Sequence, residues 1–116
     1  MSLQTLGRTG LRVSPLSLGT VELGMNYGLR VPGAYGQPSE HETIRIVHAA
    51  LAGGIHLIDT ARSYATSEAI LGRALRDRRN DVVLATKTGT SDSTGTPLSG
   101  TALKRHMLDN LDASLE

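Results

Sequence analysis

Residues Ile55–Glu68, IHLIDTARSYATSE, decide the fold. Ile55 to Ile58 is an apolar run of strand length. Asp59 closes it, Tyr64 follows in a short loop, and Thr66 or Ser67 can cap a helix whose first turn carries Glu68, facing the positive end of the helix dipole. A strand that ends on a carboxylate and passes through one loop into a helix is most of a βα unit.

Similar units lie on either side. Downstream, Ile70, Leu71, Ala74 and Leu75 give the helix an apolar side. Arg78-Arg79-Asn80 leads to Val82–Ala85, a continuous apolar run suited to a buried parallel strand, with Lys87 just past its end. Ser91 to Gly100 is a polar loop. A third helix starts at Thr101, with Leu103, Met107, Leu108, Leu111 and Leu115 predicted to form its buried face. Upstream, Ser39 to Glu42 is a capping box, Ile44, Val47, His48 and Leu51 share one helical face, and Gly53-Gly54 stops the helix. Pro15 to Thr20 reads as the first central strand, its proline at the one position where a ladder donor is dispensable. Leu3–Leu6 and Leu11–Val13 flank Gly7-Arg8-Thr9-Gly10 and read as a leading hairpin. Val21 to Pro38, with Tyr27 and Tyr35, reads as a long loop, either a binding loop or a surface insertion.

The order is hairpin, then strand–helix three times. Crossovers of this length join parallel strands, so the class is α/β. A doubly wound sheet and a (β/α)8 barrel both fit, and both gather ligands at the carboxyl ends of their strands. That end carries Gly19-Thr20, Asp59 and Lys87, each from a different strand.

Asp59, Tyr64 and Lys87 form an acid/base set. A tyrosine pKa near ~10 is too high for easy proton exchange at neutral pH. A nearby ammonium favours the phenolate, and an aspartate keeps that ammonium charged and oriented. Such a tyrosine can protonate a carbonyl oxygen as a hydride reaches the carbon.

Composition excludes other classes. In 116 residues, taken as one domain, a net charge of +1 offers no broad attraction to nucleic acid or anionic membrane. The run Arg73, Arg76, Arg78, Arg79 is broken by Asp77 and followed by Asp81, as on a solvated helix end. Cysteine is absent, which rules out disulfides and fits a reducing compartment. The first residues, MSLQTLGRTG, lack a signal-peptide pattern, and no apolar run approaches the ~20 residues of a membrane helix. A cytoplasmic location is expected. His41, His48, His56 and His106 lack metal-ligand spacing. Neither a phosphate-loop motif nor G-x-G-x-x-G is present after the first strand. Gly89–Gly95, GTSDSTG, could cradle a phosphate but reads more simply as a flexible loop.

Gly54, Asp59, Thr60, Ala61, Tyr64, Ser67, Glu68, Leu71, Gly72 and Leu75 together match G-x-x-x-x-D-T-A-x-x-Y-x-x-S-E-x-x-L-G-x-x-L. This resembles the signature of the aldo-keto reductase family. LGRTGLRVSPLSLGT is similar to that family's hairpin and first strand, DVVLATKTG to its third strand with the lysine, and LKRHMLDNLDASLE to the next helix. Ala65 departs from the glycine usual after the tyrosine, with little effect expected.

The resemblance implies a (β/α)8 barrel closed below by a hairpin. It implies NADPH as hydride donor, without a dinucleotide-binding motif, and aldehydes or ketones, including sugar aldehydes, as substrates. By position, Tyr64 would be the general acid, Lys87 its pKa partner and Asp59 the support of the lysine. Gly19, Thr20 and Asp59 would lie at the cofactor. The family's catalytic histidine, on a fourth strand, has no counterpart here, and His106 falls in the wrong element to replace it.

A barrel takes roughly 250 residues. The expectation is therefore the N-terminal third of such a barrel, a leading hairpin plus about three βα units, cut within the third helix. Its open strand edges invite self-association. Alone it would be weakly active or inactive, or would serve as a non-catalytic piece completed by a partner chain, or be a decayed remnant.

Overall fold

The computed structural model describes residues 1–33 and 35–116. β1 (Gln4–Thr5) and β2 (Arg12–Val13) pair antiparallel as the leading hairpin. β3 (Ser17–Gly19), β4 (Leu57–Asp59) and β5 (Val83–Ala85) form a parallel sheet in the order β3-β4-β5. In its register, Gly19 lies beside Asp59 and Asp59 beside Ala85. Among the described residues there are four α-helices, α1 (Val21–Gly24), α2 (Glu40–Ala52), α3 (Ser67–Ala74) and α4 (Gly100–Leu115), and one 3-10 turn at Arg79–Asp81.

The layering sets both long helices of the first two units on one side of the sheet. Val47 and Leu51 of α2, Leu71 and Ala74 of α3, and Leu75 share one core with Ile58 of β4. Leu18 and Leu84 of the flanking strands pack against the same cluster. Both helices thus cover a single sheet face, and the strand order does not reverse. This is the layout of an open arc of (β/α)8 architecture; a doubly wound sheet reverses only beyond its first half. β3 and β5 each keep an unpaired edge among the described residues.

Strand alternation then fixes the use of each face. Ile58, fully buried, points into the helix layer. Asp59, its neighbour, points to the uncovered face.

The capping box is present. The Ser39 hydroxyl accepts from the Glu42 amide, and the Glu42 carboxylate accepts from the Ser39 amide at 3.0 Å. Bonds from the Ser39 hydroxyl and amide hold the Glu42 carboxyl below its usual pKa.

Four expectations change. The segment 21–38 opens with α1 rather than loop, because Leu23 is buried in the core and draws one helical turn onto α3. Neither Thr66 nor Ser67 caps α3 through its side chain. The Thr66 hydroxyl donates to Gly24 O (2.9 Å) and the Ser67 hydroxyl to Thr20 Oγ1 (2.8 Å), so tertiary partners outcompete the local amides. The loop Ser91–Pro97 is a closed turn in which Asp92 Oδ1 accepts from the amides of Thr94 and Thr96, both at 2.9 Å. A carboxylate of the same chain thus already satisfies these amides.

The fourth change concerns α4. Its leucine-rich face is not buried: Met107, Leu108, Leu111 and Leu115 are 42–73% exposed. Leu111 and Leu115 line an open cleft with Leu75 and Leu84 and are not packed into the core. The radius of gyration of 15.7 Å reflects this open layout. A compact domain of this length would have about 13 Å.

Candidate active site

Asp59 and Lys87 come from adjacent parallel strands and face the same side. The Lys87 Nζ donates to Asp59 Oδ1 at 2.5 Å and to Thr60 O at 3.1 Å. It stands 5.2 Å from the centre of the Tyr64 ring. Tyr64 is carried by a tight turn in which its amide donates to Ala61 O (3.0 Å) and its carbonyl accepts from the Ser67 amide (2.9 Å). Asp59, Tyr64 and Lys87 therefore meet at one sheet end, as their order along the chain predicts.

The hydrogen bond to Asp59 raises the Lys87 pKa; partial desolvation opposes it, and the Asp59 charge and the Tyr64 phenol add to it. The Lys87 and Asp59 side chains are 52% and 42% exposed, so this pair adds little to stability. Its contribution is placement: a positive charge held against the face of a tyrosine.

Thr20 sits elsewhere. It is fully buried, and its hydroxyl donates to Asp59 O at 3.0 Å. Ser67 donates to Thr20, and Ser67 Oγ lies 3.0 Å from Thr60 Oγ1. These buried hydroxyls form one chain that bolts the ends of β3 and β4 to the start of α3. Each satisfies the others, which is what permits three polar side chains inside the core. Gly19, in contrast, is exposed, and a Cβ added there would meet nothing within 4 Å. The sheet end beside Asp59 is thus flat and open.

Two further residues shape the Tyr64 turn, and spacing alone did not single them out. Gly24 approaches so closely that an added Cβ would collide with the Tyr64 carbonyl oxygen and lie 2.5 Å from Ser67 Cβ. Gln37 donates to Leu23 O (3.1 Å) and Thr66 Oγ1 (3.0 Å), tying the long loop to the same turn. Glu68 does more than face a helix dipole, since it accepts from Thr86 Oγ1 on the strand end that carries Lys87. Strand parity offered a signal for that contact: if Lys87 faces the open side, Thr86 must face the helices.

No His, Cys, Asp and Glu cluster able to hold a metal occurs among the described residues. His48 Nε2 donates to Ala74 O and His56 Nδ1 to Asp81 O, both at 2.9 Å, so both serve as structural donors. No helix among the described residues is long and apolar enough to cross a membrane.

An aspartate and a lysine from neighbouring parallel strands thus stand around a tyrosine at the carboxyl end of an α/β sheet. The sequence profile of the Aldo/keto reductase family matches residues 15–116, and the chain belongs to that family. Among curated relatives, Aldo-keto reductase YhdN of Bacillus subtilis (strain 168) is 37% identical over 92 residues, covering 76% of this chain and 26% of the relative. An uncharacterized oxidoreductase of the same organism, YrpG, is 42% identical over 91 residues, covering 71% of this chain and 24% of the relative. The chain thus spans about a quarter of the length of these proteins. Among solved structures, PA4992 from Pseudomonas aeruginosa, assigned as an aldo-keto reductase, superposes with a TM-score of 0.76 at 36% identity, over 97% of this chain and 41% of its own. The holo form of aldo-keto reductase AKR11C1 from Bacillus halodurans superposes with a TM-score of 0.75 at 30% identity, over 99% of this chain and 35% of its own.

Proposed function

We propose that this chain supplies the acid/base corner of an NADPH-dependent reductase of aldehydes and ketones. The observation that carries this reading is the Lys87 ammonium fixed between Asp59 and the face of Tyr64. The flat sheet end at Gly19, beside Asp59, suits the close approach of a planar ring and would receive the nicotinamide. The nicotinamide, when bound, supplies the hydride. Tyr64 gives its phenolic proton to the carbonyl oxygen. Lys87 stabilises the phenolate left behind, and Asp59 keeps Lys87 charged and in place. In the oxidative direction Tyr64 takes the alcohol proton back. Thr20 acts from behind, holding the Asp59 backbone.

A second reading, a non-catalytic piece completed by a partner chain, is favoured by the uncovered apolar face of α4 and the free edge of β5. The two readings separate in one assay. Carbonyl-dependent NADPH oxidation is followed for the protein and for Tyr64→Phe. General acid catalysis contributes about 10²–10⁴-fold, and Tyr64→Phe should lose at least the lower figure. Turnover of Tyr64→Phe close to the unsubstituted rate would refute the assignment. No turnover at all, with a second chain co-purifying, would favour the assembly reading.

A further inference from the structure

Lys87 lies outside the regular ladder, since β5 ends at Ala85. Its position therefore depends on what grips Thr86, Lys87 and Thr88. Each is held, Thr86 and Thr88 by helix side chains and Lys87 by the loop that follows β4. Thr86 Oγ1 donates to Glu68 Oε1 at 2.6 Å. The Lys87 carbonyl accepts from the Arg62 amide at 3.3 Å. Thr88 Oγ1 accepts from Asn110 Nδ2 at 2.9 Å.

Glu68 is itself fixed. Its side chain is only 16% exposed and receives Arg62 Nη1 at 3.1 Å. The Ser114 hydroxyl of α4 lies 3.1 and 3.2 Å from its two oxygens. Taking a carboxylate this far out of water is unfavourable unless donors surround it. Here the donors come from the Tyr64 loop, from the strand end and from α4. Glu68 also stands four residues after Tyr64, on the helix that the Tyr64 turn begins. One short segment thus carries the tyrosine on one face of the sheet and, through Glu68, grips the lysine's strand from the other.

We propose that Glu68, acting through Thr86, and Asn110, acting through Thr88, are positioning residues that set where the Lys87 ammonium stands against Tyr64 and Asp59. Glu68 is the rigid link, because it ties the separation of the two working groups to a single helix start. The inference rests on the reading of Lys87 as the partner of Tyr64, but its test uses no turnover. Either can therefore fail while the other stands.

The chain has two lysines, Lys87 and Lys104, which makes the test direct. Carbon-13-labelled lysine gives one side-chain NMR signal for each, and Lys104 on exposed α4 is the internal reference. The titratable groups that act on Lys87 are Asp59 and Tyr64, on the open side; Glu68, paired with Arg62, stands behind the strand end at Thr86. Thr86→Val removes only the hydroxyl and leaves every charge in place; Glu68→Gln keeps the shape. Glu40→Gln, which breaks the distant Arg73–Glu40 pair, is the control. In Thr86→Val and Glu68→Gln the Lys87 titration should move down toward the ordinary lysine value as its bond to Asp59 loosens. Lys104 should not move, and Glu40→Gln should move neither. A Lys87 titration unchanged in both test variants, or shifted equally by Glu40→Gln, would overturn the proposal. So would collapse of both lysine signals to one position in both test variants, because the contacts would then be general supports of the fold.

Discussion

Ala65 has a backbone φ of +45°, in the left-handed region. Among the described residues it is the one non-glycine residue there, and it directly follows Tyr64. The expectation that alanine differs little from glycine at this position is therefore corrected: the turn that presents Tyr64 carries strain. An L-residue in this region costs about 1–2 kcal/mol. Replacement by glycine removes that term, but the freer glycine chain stabilises the unfolded state by about 0.4–1 kcal/mol. The Ala65 side chain is exposed, so no packing is lost. The net expectation for Ala65→Gly is a gain of about 0–1.6 kcal/mol, centred on about 0.8. For a chain of this size the central value raises the unfolding midpoint by about 3 °C. Thermal unfolding followed by circular dichroism, with both proteins at one concentration, measures it. A midpoint below that of the unsubstituted chain would show that the turn stores no such strain.

Gly24→Ala should act in the opposite sense. Its Cβ would be driven into the backbone of the Tyr64–Ser67 turn, and backbone cannot swing aside. A loss at the upper end of the about 1–3 kcal/mol typical of overpacking is expected. Gly72→Ala, in the middle of α3 with nothing within 4 Å, should instead gain up to about 1 kcal/mol of helix propensity. Denaturant midpoints for the pair test this, and similar values for both would contradict the close approach at Gly24. Acid should expose the two turns held by carboxylates. Hydrogen bonds from Ser39 lower the Glu42 pKa below its ordinary 4.5, and hydrogen bonds from Thr94 and Thr96 lower Asp92 below its ordinary 3.8. Groups lowered in this way stabilise the fold above their ordinary values, and the effect is lost as pH falls through the lowered ones. Glu42→Gln keeps a capping acceptor without a charge. Its midpoint should therefore fall less than that of the unsubstituted chain between neutral pH and pH values below 4, and equal falls would argue against the Glu42 contribution.

Much of this molecule is legible in the order of its residues. Periodicity, the S-x-x-E cap and the paired glycines after α2 are local signals, and local hydrogen bonds and side-chain spacing enforce them. They place the hairpin, α2, α3 and the three strands to within a few residues, and the position of Asp59 and Lys87 at strand ends follows directly. Tyr64 is legible for the same reason, because a short loop between a strand end and a helix leaves it nowhere else to go.

What the order of residues could not decide concerns competition between partners far apart in the chain. Thr66 and Ser67 look like caps, yet their hydroxyls turn to Gly24 and Thr20, more than forty residues away. α1 forms because a core formed by α2, α3 and β4 exists to receive Leu23. The leucines of α4 have a buried pattern, but burial needs a neighbour, and a pattern does not supply one. The choice between a barrel arc and a doubly wound sheet likewise lies beyond the pattern of three units, and the superposition on solved aldo-keto reductases makes it. Local sequence specifies that a helix has an apolar side; only the assembled sheet specifies where that side goes.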